Sequence, residues 1–160
     1  MEASIKKIIL ATDFSDISKD ASSHALQLAR TYKAELKALH VFDPSAWNVP
    51  SHYYLASEGA VESLEEARQK GKDALKELAE SFDLEVETIF NEGNPGHEIV
   101  RVAEELNADL IVLGTHGYSG WKRFTIGSVA EFVGRHAPCA VLTIRPEVVK
   151  YSTYVSSTDK

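Results

Sequence analysis

Short apolar runs of strand length alternate along this chain with longer segments in which apolar residues recur every three or four positions. This alternation is typical of repeated β-strand and α-helix units, which assemble into a parallel sheet. Two runs are continuously apolar, as a strand covered by helices on both faces requires: Ile8 to Ala11 and Leu110 to Leu113. We therefore predict an α/β fold with these two strands at the centre of the sheet.

Three further strands are predicted at Leu36 to Phe42, around Leu84 and Val86, and at Ala140 to Ile144. In the middle one, Leu84 and Val86 alternate with glutamates, and Thr88 continues the alternation. A period of two indicates a strand with one face in water. We expect this strand near an edge of the sheet.

Four helices are predicted between the strands. The first runs from about Ser18 to Tyr32 and has that tyrosine on its inner face. The second is a long amphipathic helix whose apolar residues extend from Val61 to Phe82. The third begins at Asn94-Pro95, an N-cap followed by proline at the first helical position. The fourth begins near Ser128.

Length and charge narrow the function classes. The 160 residues, 44% of them hydrophobic, fit one domain with one packed core. A formal charge of -7 repels nucleic acids and anionic membranes, so we expect neither as a partner. Cys139 is the single cysteine, and no signal peptide or bilayer-length apolar run is found. These features predict a cytoplasmic protein without membrane insertion.

Two segments lack a clear period. Asp43 to Ser57 is longer than an ordinary connection and is predicted as a lid or a partly ordered loop. Residues 147–160 are predicted as a C-terminal tail, with an added edge strand at Val148 to Val155 as the alternative. The domain is therefore expected over residues 1–146.

The candidate site follows from the sheet. Ligands of open parallel sheets lie beyond the carboxyl ends of the strands, where the winding direction reverses. Thr12 and Asp13 follow the first central strand. The other is followed by Gly114, Gly117 and Gly120, whose missing side chains leave backbone amides open to phosphate oxygens. This loop leads to a helix start, which also favours negative charge.

Readings without a ligand stay open at this point. Ser128 and Glu131 have the spacing of a capping box, which needs no ligand. Asp13 can cap local amides, although its place in the crevice favours a ligand role. His116 has no identifiable catalytic partner, and Cys139 is interpreted as a small buried hydrophobe. The remaining histidines are scattered without the spacing of a metal site: His24, His40, His97 and His136.

The spacing Gly114-x2-Gly117-x9-Gly127-Ser128 is similar to the nucleotide-binding signature of the universal stress protein family. The resemblance covers Ile5 to about Arg145 and includes Ala11 to Ser15 at the first strand end. It implies an adenine nucleotide alpha hydrolase-like fold. In that fold an open five-stranded parallel sheet has the order 3-2-1-4-5, with helices on both faces.

The resemblance also implies a ligand and a partner. Members with this signature bind ATP, here with Mg²⁺ or Mn²⁺ as an optional companion, and pair as homodimers through the last strand. Asp13 and the Val41 backbone are then expected at the adenosine end, and Gly114 at the ribose. The full set of expected ligand-binding residues is Thr12, Asp13, Val41, Gly114, Thr115, His116, Gly117, Arg123, Gly127, Ser128 and Val129, the phosphates lying at the last glycines, Ser128 and Val129. No catalytic residue and no metal ligand is predicted.

These expectations favour an ATP-binding sensor or adaptor of the stress response, in which nucleotide orders a loop that an unidentified protein partner recognises. A P-loop and a G-x-G-x-x-G motif are both missing, so efficient ATP hydrolysis is not visibly encoded. Two alternatives stay open. One is an enzyme using ATP in the same crevice, by slow hydrolysis, autophosphorylation or adenylation. The other is a nucleotide-free dimeric interaction protein.

Overall fold

The computed structural model describes residues 4–47, 58–115 and 126–145. One parallel sheet has the strand order β3-β2-β1-β4-β5. Its strands are β1 (Lys7–Ala11), β2 (Glu35–Phe42), β3 (Val86–Glu92), β4 (Leu110–Gly114) and β5 (Ala140–Ile144). The helices are α1 (Asp16–Tyr32), α2 (Glu58–Glu80), α3 (Pro95–Glu105) and α4 (Ser128–His136), with a short 3₁₀ helix at Pro44–Trp47. The predicted fold class and strand order are confirmed.

Alternate side chains of the central strands enter two separate cores, as the pleat of a sheet requires. Ile8 and Leu10 of β1 face α1, where Ala21 and Ala25 pack against them. Ile9 of β1 lies on the other face, in the cluster that α3 and α4 cover. β1 and β4 are therefore buried on both sides, which explains their continuously apolar sequences.

Two predictions are wrong near the ends of helices: the inward direction of Tyr32 and the extension of the second helix to Phe82. Tyr32 is 47% exposed rather than inward. Helix α1 ends there because Lys33 adopts a left-handed conformation with φ 53°, and Ala34 takes the buried position instead. The second helix ends at Glu80, so Phe82 packs against the α1 core from the turn that follows.

Strand β3 lies at the edge of the sheet as predicted, but the alternation that suggested it is wrong in detail. The strand begins at Val86, and Leu84 packs against the core from the preceding turn. Glu87 and Thr88 are both exposed, so Thr88 does not face inward. Because β3 has a neighbouring strand on one side only, water reaches both of its faces at this point.

Some predictions fall outside the described residues. They concern residues 48–57 of the predicted lid or loop and residues 146–160, which include the whole predicted tail. The division into a domain over 1–146 and a tail over 147–160 stays a prediction. Within the part of the chain that the structure describes, none of the helices combines the length and the apolar character that crossing a bilayer demands.

Candidate functional site

The two predicted loops begin side by side. β1 pairs with β2 on one side and with β4 on the other, and Ala11 lies opposite Leu113. The winding direction therefore reverses between β1 and β4. Thr12 and Gly114, which end or follow these strands, stand at this switch point of the sheet, where ligands of open α/β folds bind.

The β1–α1 loop is held by hydrogen bonds of its own side chains. The Oδ1 atom of Asp13 accepts from the Ser15 backbone N–H at 3.0 Å, from the Ser15 hydroxyl at 2.6 Å and from the Ser18 hydroxyl at 2.9 Å. The Thr12 hydroxyl oxygen accepts from the Phe14 N–H at 3.1 Å. Asp13 thus caps local groups through one oxygen. Among the described residues, its Oδ2 atom has no hydrogen bond.

Phe14 gives this loop its shape. Its φ of 64° is left-handed, which costs a residue with a bulky side chain about 1–2 kcal/mol. Its ring packs on the imidazole of His40 with the centroids 4.5 Å apart. Together with Ser15, Asp16, Ile17 and Lys19, it lines an open cavity of ≈ 370 Å³ at the start of α1.

His40 is a residue that sequence reasoning missed. It lies near the carboxyl end of β2, and its Nδ1 is 2.8 Å from the Thr12 carbonyl oxygen. Because a carbonyl only accepts, Nδ1 carries the proton. Burial lowers the pKa of His40, and the bond to Thr12 and the charge of Asp13 oppose that shift. Its position at the end of a strand beside the candidate loop is the signal that could have identified it.

The lack of a side chain at Gly114 has a structural cause. A Cβ placed there would lie 2.7 Å from Cγ2 of Ile17 in α1, closer than real contacts allow. Glycine at this position lets the start of α1 approach the end of β4. The expected contact of Gly114 with a ribose is not tested by this packing.

Both ends of the glycine-rich loop are tied together. The Thr115 N–H donates to the Ile144 carbonyl at 2.8 Å, and the Gly127 N–H donates to the Thr115 carbonyl at 2.7 Å. Thr115 is buried. The predicted site residues His116, Gly117 and Arg123 lie outside the described residues. Their flanking residues nevertheless bring the start of α4 to the end of β4.

Helix α4 begins without a side-chain cap. Its N-cap is Gly127, extended at φ -63° and ψ 153°, and no side chain accepts from the first-turn amides within the described residues. Ser128 is the first helical residue rather than the cap, so the capping box considered above is not formed. Glu131 instead pairs with Arg135 at 2.9 Å. The amides of Ser128 and Val129 have no acceptor within the helix.

Val41 and Cys139 are placed on the same side of the sheet. Val41 is buried near the end of β2, in the core that α3 and α4 cover. Cys139 is half-buried against that core, and burial raises the pKa of its thiol, which disfavours the reactive thiolate. In residues 4–47, 58–115 and 126–145, no three His, Cys, Asp or Glu side chains are grouped to hold a metal ion.

Known proteins resemble this chain over most of its length. Residues 4–145 match the model of the universal stress protein family. Universal stress protein MJ0531 of Methanocaldococcus jannaschii is 40% identical over 144 residues, which cover 88% of this chain and 82% of that protein.

Solved structures give the same result. Universal stress protein UspA from Lactobacillus plantarum superposes on this chain with a TM-score of 0.70 and 31% identity. The match covers 90% of this chain and 100% of UspA. A universal stress protein in complex with cAMP superposes with a TM-score of 0.56 and 25% identity. The match covers 88% of this chain and 97% of that protein. The sequence and the fold therefore agree on one group of proteins.

Proposed function

The chain belongs to the universal stress protein family, and from this premise we propose that it binds ATP between the β1–α1 loop and the start of α4. Binding, rather than turnover, is its function: the protein is a nucleotide-dependent sensor or adaptor in the stress response. It acts in the cytoplasm on a protein partner that its sequence does not identify.

One observation carries this proposal. The start of α4 has glycine as its N-cap and no side-chain acceptor among the described residues, and it lies beside the switch point of the sheet. Free first-turn amides and the positive end of the helix dipole attract an anion. Ser128 and Val129 are the proposed phosphate contacts, with Gly127 leaving room for the approach. A chain of net charge -7 needs such a local feature to hold a polyphosphate.

The adenosine end is assigned to the neighbouring loop. Oδ2 of Asp13 has no hydrogen bond with the described residues, and a carboxylate oxygen suits a ribose hydroxyl or an adenine amino group. The backbone of Val41 lies at the end of the adjacent strand. A relative in complex with cAMP supports an adenine nucleotide as the ligand class.

The other contacts are proposed from the family signature. They are Thr12, Gly114, Thr115, His116, Gly117 and Arg123, with Arg123 as a counter-charge. Mg²⁺ or Mn²⁺ is an optional companion of the phosphates.

A homodimer through β5 completes the proposal. Among the described strands β5 pairs with β4 alone, and we propose that its other edge pairs with the same strand of a second copy. Its middle residues, Val141 to Thr143, are half-buried in the single chain. A second copy that covers this edge would place the two nucleotide sites in one assembly. Sedimentation of the purified protein tests this, and a monomer at micromolar concentration would contradict it.

Thermal unfolding with and without nucleotide tests the binding claim. ATP at ~100 times its dissociation constant is expected to add ~2.7 kcal/mol of stability, a melting shift of about 5 to 10 °C. GTP serves as the control for base recognition. No shift with ATP, ADP, AMP or cAMP defeats the claim and leaves the dimeric interaction protein. Product formed from ATP during the measurement favours the enzyme instead.

A further inference from the structure

The imidazole of His40 joins three elements beneath the β1–α1 loop. Its Nδ1 donates to the Thr12 carbonyl at 2.8 Å, and its ring packs on Phe14 from the same loop. On the other side, the ring of Phe90 in β3 is 5.7 Å away between centroids. A Cβ on Gly71 of α2 would lie 3.5 Å from Nε2. This is an ordinary van der Waals distance, and the closer approach of that Cβ, 3.1 Å, would be to Cε2 of Phe90.

Both anchors flank the residue proposed to bind the nucleotide. Thr12 immediately precedes Asp13, and Phe14 immediately follows it. Phe14 holds a left-handed conformation that needs support from its surroundings, and the imidazole supplies a packing surface for its ring. A purely apolar side chain at position 40 would pack on Phe14 but would leave the Thr12 carbonyl without this donor.

We propose that His40 is a positioning residue for nucleotide binding, holding the Thr12 carbonyl and the Phe14 ring so that the carboxylate of Asp13 points at the ligand. It does not touch the ligand itself. This inference rests on the proposed function for its effect on affinity. Its effect on the loop does not depend on any ligand.

Two substitutions separate the two functions of the imidazole. His40→Phe keeps an aromatic ring and removes the donor. His40→Asn removes the ring and places an amide N–H near the position of Nδ1. The same pair at His24, an exposed histidine of α1, controls for the loss of a histidine elsewhere.

Amide hydrogen exchange measures the order of the loop directly. The relevant amides are those of Phe14 and Ser15, which donate to the side chains of Thr12 and Asp13. His40→Phe is expected to speed their exchange about threefold to tenfold relative to the core amide of Val112, and to weaken ATP binding by a similar factor in calorimetry. His40→Asn keeps the donor and loses only the ring contact with Phe14, so its exchange rates and affinity are expected to lie between those of the wild type and those of His40→Phe.

Exchange in His40→Phe at wild-type rates, or a His40→Asn variant as impaired as His40→Phe, would overturn the positioning role. If the wild-type protein binds no adenine nucleotide, the proposed function fails while the exchange rates still decide the role of His40. Should His40→Phe not fold, the ¹⁵N NMR spectrum of the wild-type imidazole decides. A proton on Nδ1 is expected, and a proton on Nε2 alone contradicts the bond to Thr12.

Discussion

Helices α3 and α4 cover the same face of the sheet, and each begins just beyond the carboxyl end of a parallel strand. Their first turns are built differently. At α3, Oδ1 of Asn94 accepts from the His97 N–H at 3.2 Å, and Pro95 removes one donor that would need a partner. At α4, Gly127 has no side chain with which to do the same.

The negative charge near α3 is also supplied from within the protein. Glu98 in its first turn accepts from the Asn91 amide at 3.0 Å and pairs with Arg101 at 2.6 Å. The start of α3 thus has a side-chain acceptor and a carboxylate of its own, whereas no side chain among the described residues accepts from the first-turn amides of α4. The comparison distinguishes two kinds of helix N-terminus in one fold. That of α3 is capped by the protein itself, and that of α4 is suited to an anion.

The largest effect is expected from giving α4 the acceptor that it lacks. In Gly127→Asp, a carboxylate occupies the first-turn amides and repels phosphate, so ATP affinity in calorimetry falls at least about 100-fold. Urea unfolding without nucleotide should show a gain of roughly 0.3 to 1 kcal/mol, because an acidic N-cap stabilises a helix.

A matched control lies at the other end of the same helix. Gly134 is exposed with open space around it, and Gly134→Asp adds the same charge there. It should change ATP affinity by no more than about twofold because solvent screens it. Unchanged ATP affinity in Gly127→Asp would contradict the assignment of a phosphate to the start of α4.

Removing the cap of α3 should have the opposite profile. Asn94→Ala leaves the His97 amide without its acceptor and is expected to lower the free energy of unfolding by about 1 kcal/mol in urea. ATP affinity should stay at the wild-type value, and Asn94→Ser should retain most of the stability. A loss of ATP affinity with unchanged stability would reverse the assignment of the two helix starts.

The smallest effect concerns pH and Glu98. Its hydrogen bond and ion pair with Arg101, helped by Asn91, hold the pKa of Glu98 below its usual value. A carboxyl with a lowered folded-state pKa stabilises the protein above its unfolded pKa and loses that contribution as pH falls through the folded value.

Urea unfolding at pH values between about 6 and 3 measures this contribution. Glu98→Gln should reduce the loss of stability on the acid side, while Glu104→Gln, an exposed change on the same helix, serves as control. If the free energy of unfolding falls as steeply with decreasing pH in Glu98→Gln as in the wild type, the charge of Glu98 does not stabilise the start of α3.

The sequence was most informative where one local rule decides the structure. Continuous apolar runs placed β1 and β4 at the centre, and Asn94-Pro95 marked the start of α3, because a cap and its amide lie three residues apart. The inward face of Tyr32 and the start of β3 at Leu84 were predicted wrongly, since periodicity does not report where a neighbouring element stops covering a helix or strand.

The candidate site depends more on contacts between distant residues. We expected α4 to begin near Ser128, with that residue as a possible N-cap. In the structure Gly127 is the N-cap, and its N–H bond to the Thr115 carbonyl helps to close the loop. The packing of Ile17 against Gly114 and the bond from His40 to Thr12 join different elements. Sequence spacing does not specify such contacts, and only the position of His40 at the end of a strand gave a signal for its role.

A crystal structure of the protein grown with excess ATP tests the central claim most directly. We expect a phosphate oxygen within about 3 Å of the backbone nitrogen of Ser128 or Val129, and no anion at the start of α3. Water alone at the first turn of α4, or a nucleotide bound elsewhere on the molecule, would contradict it.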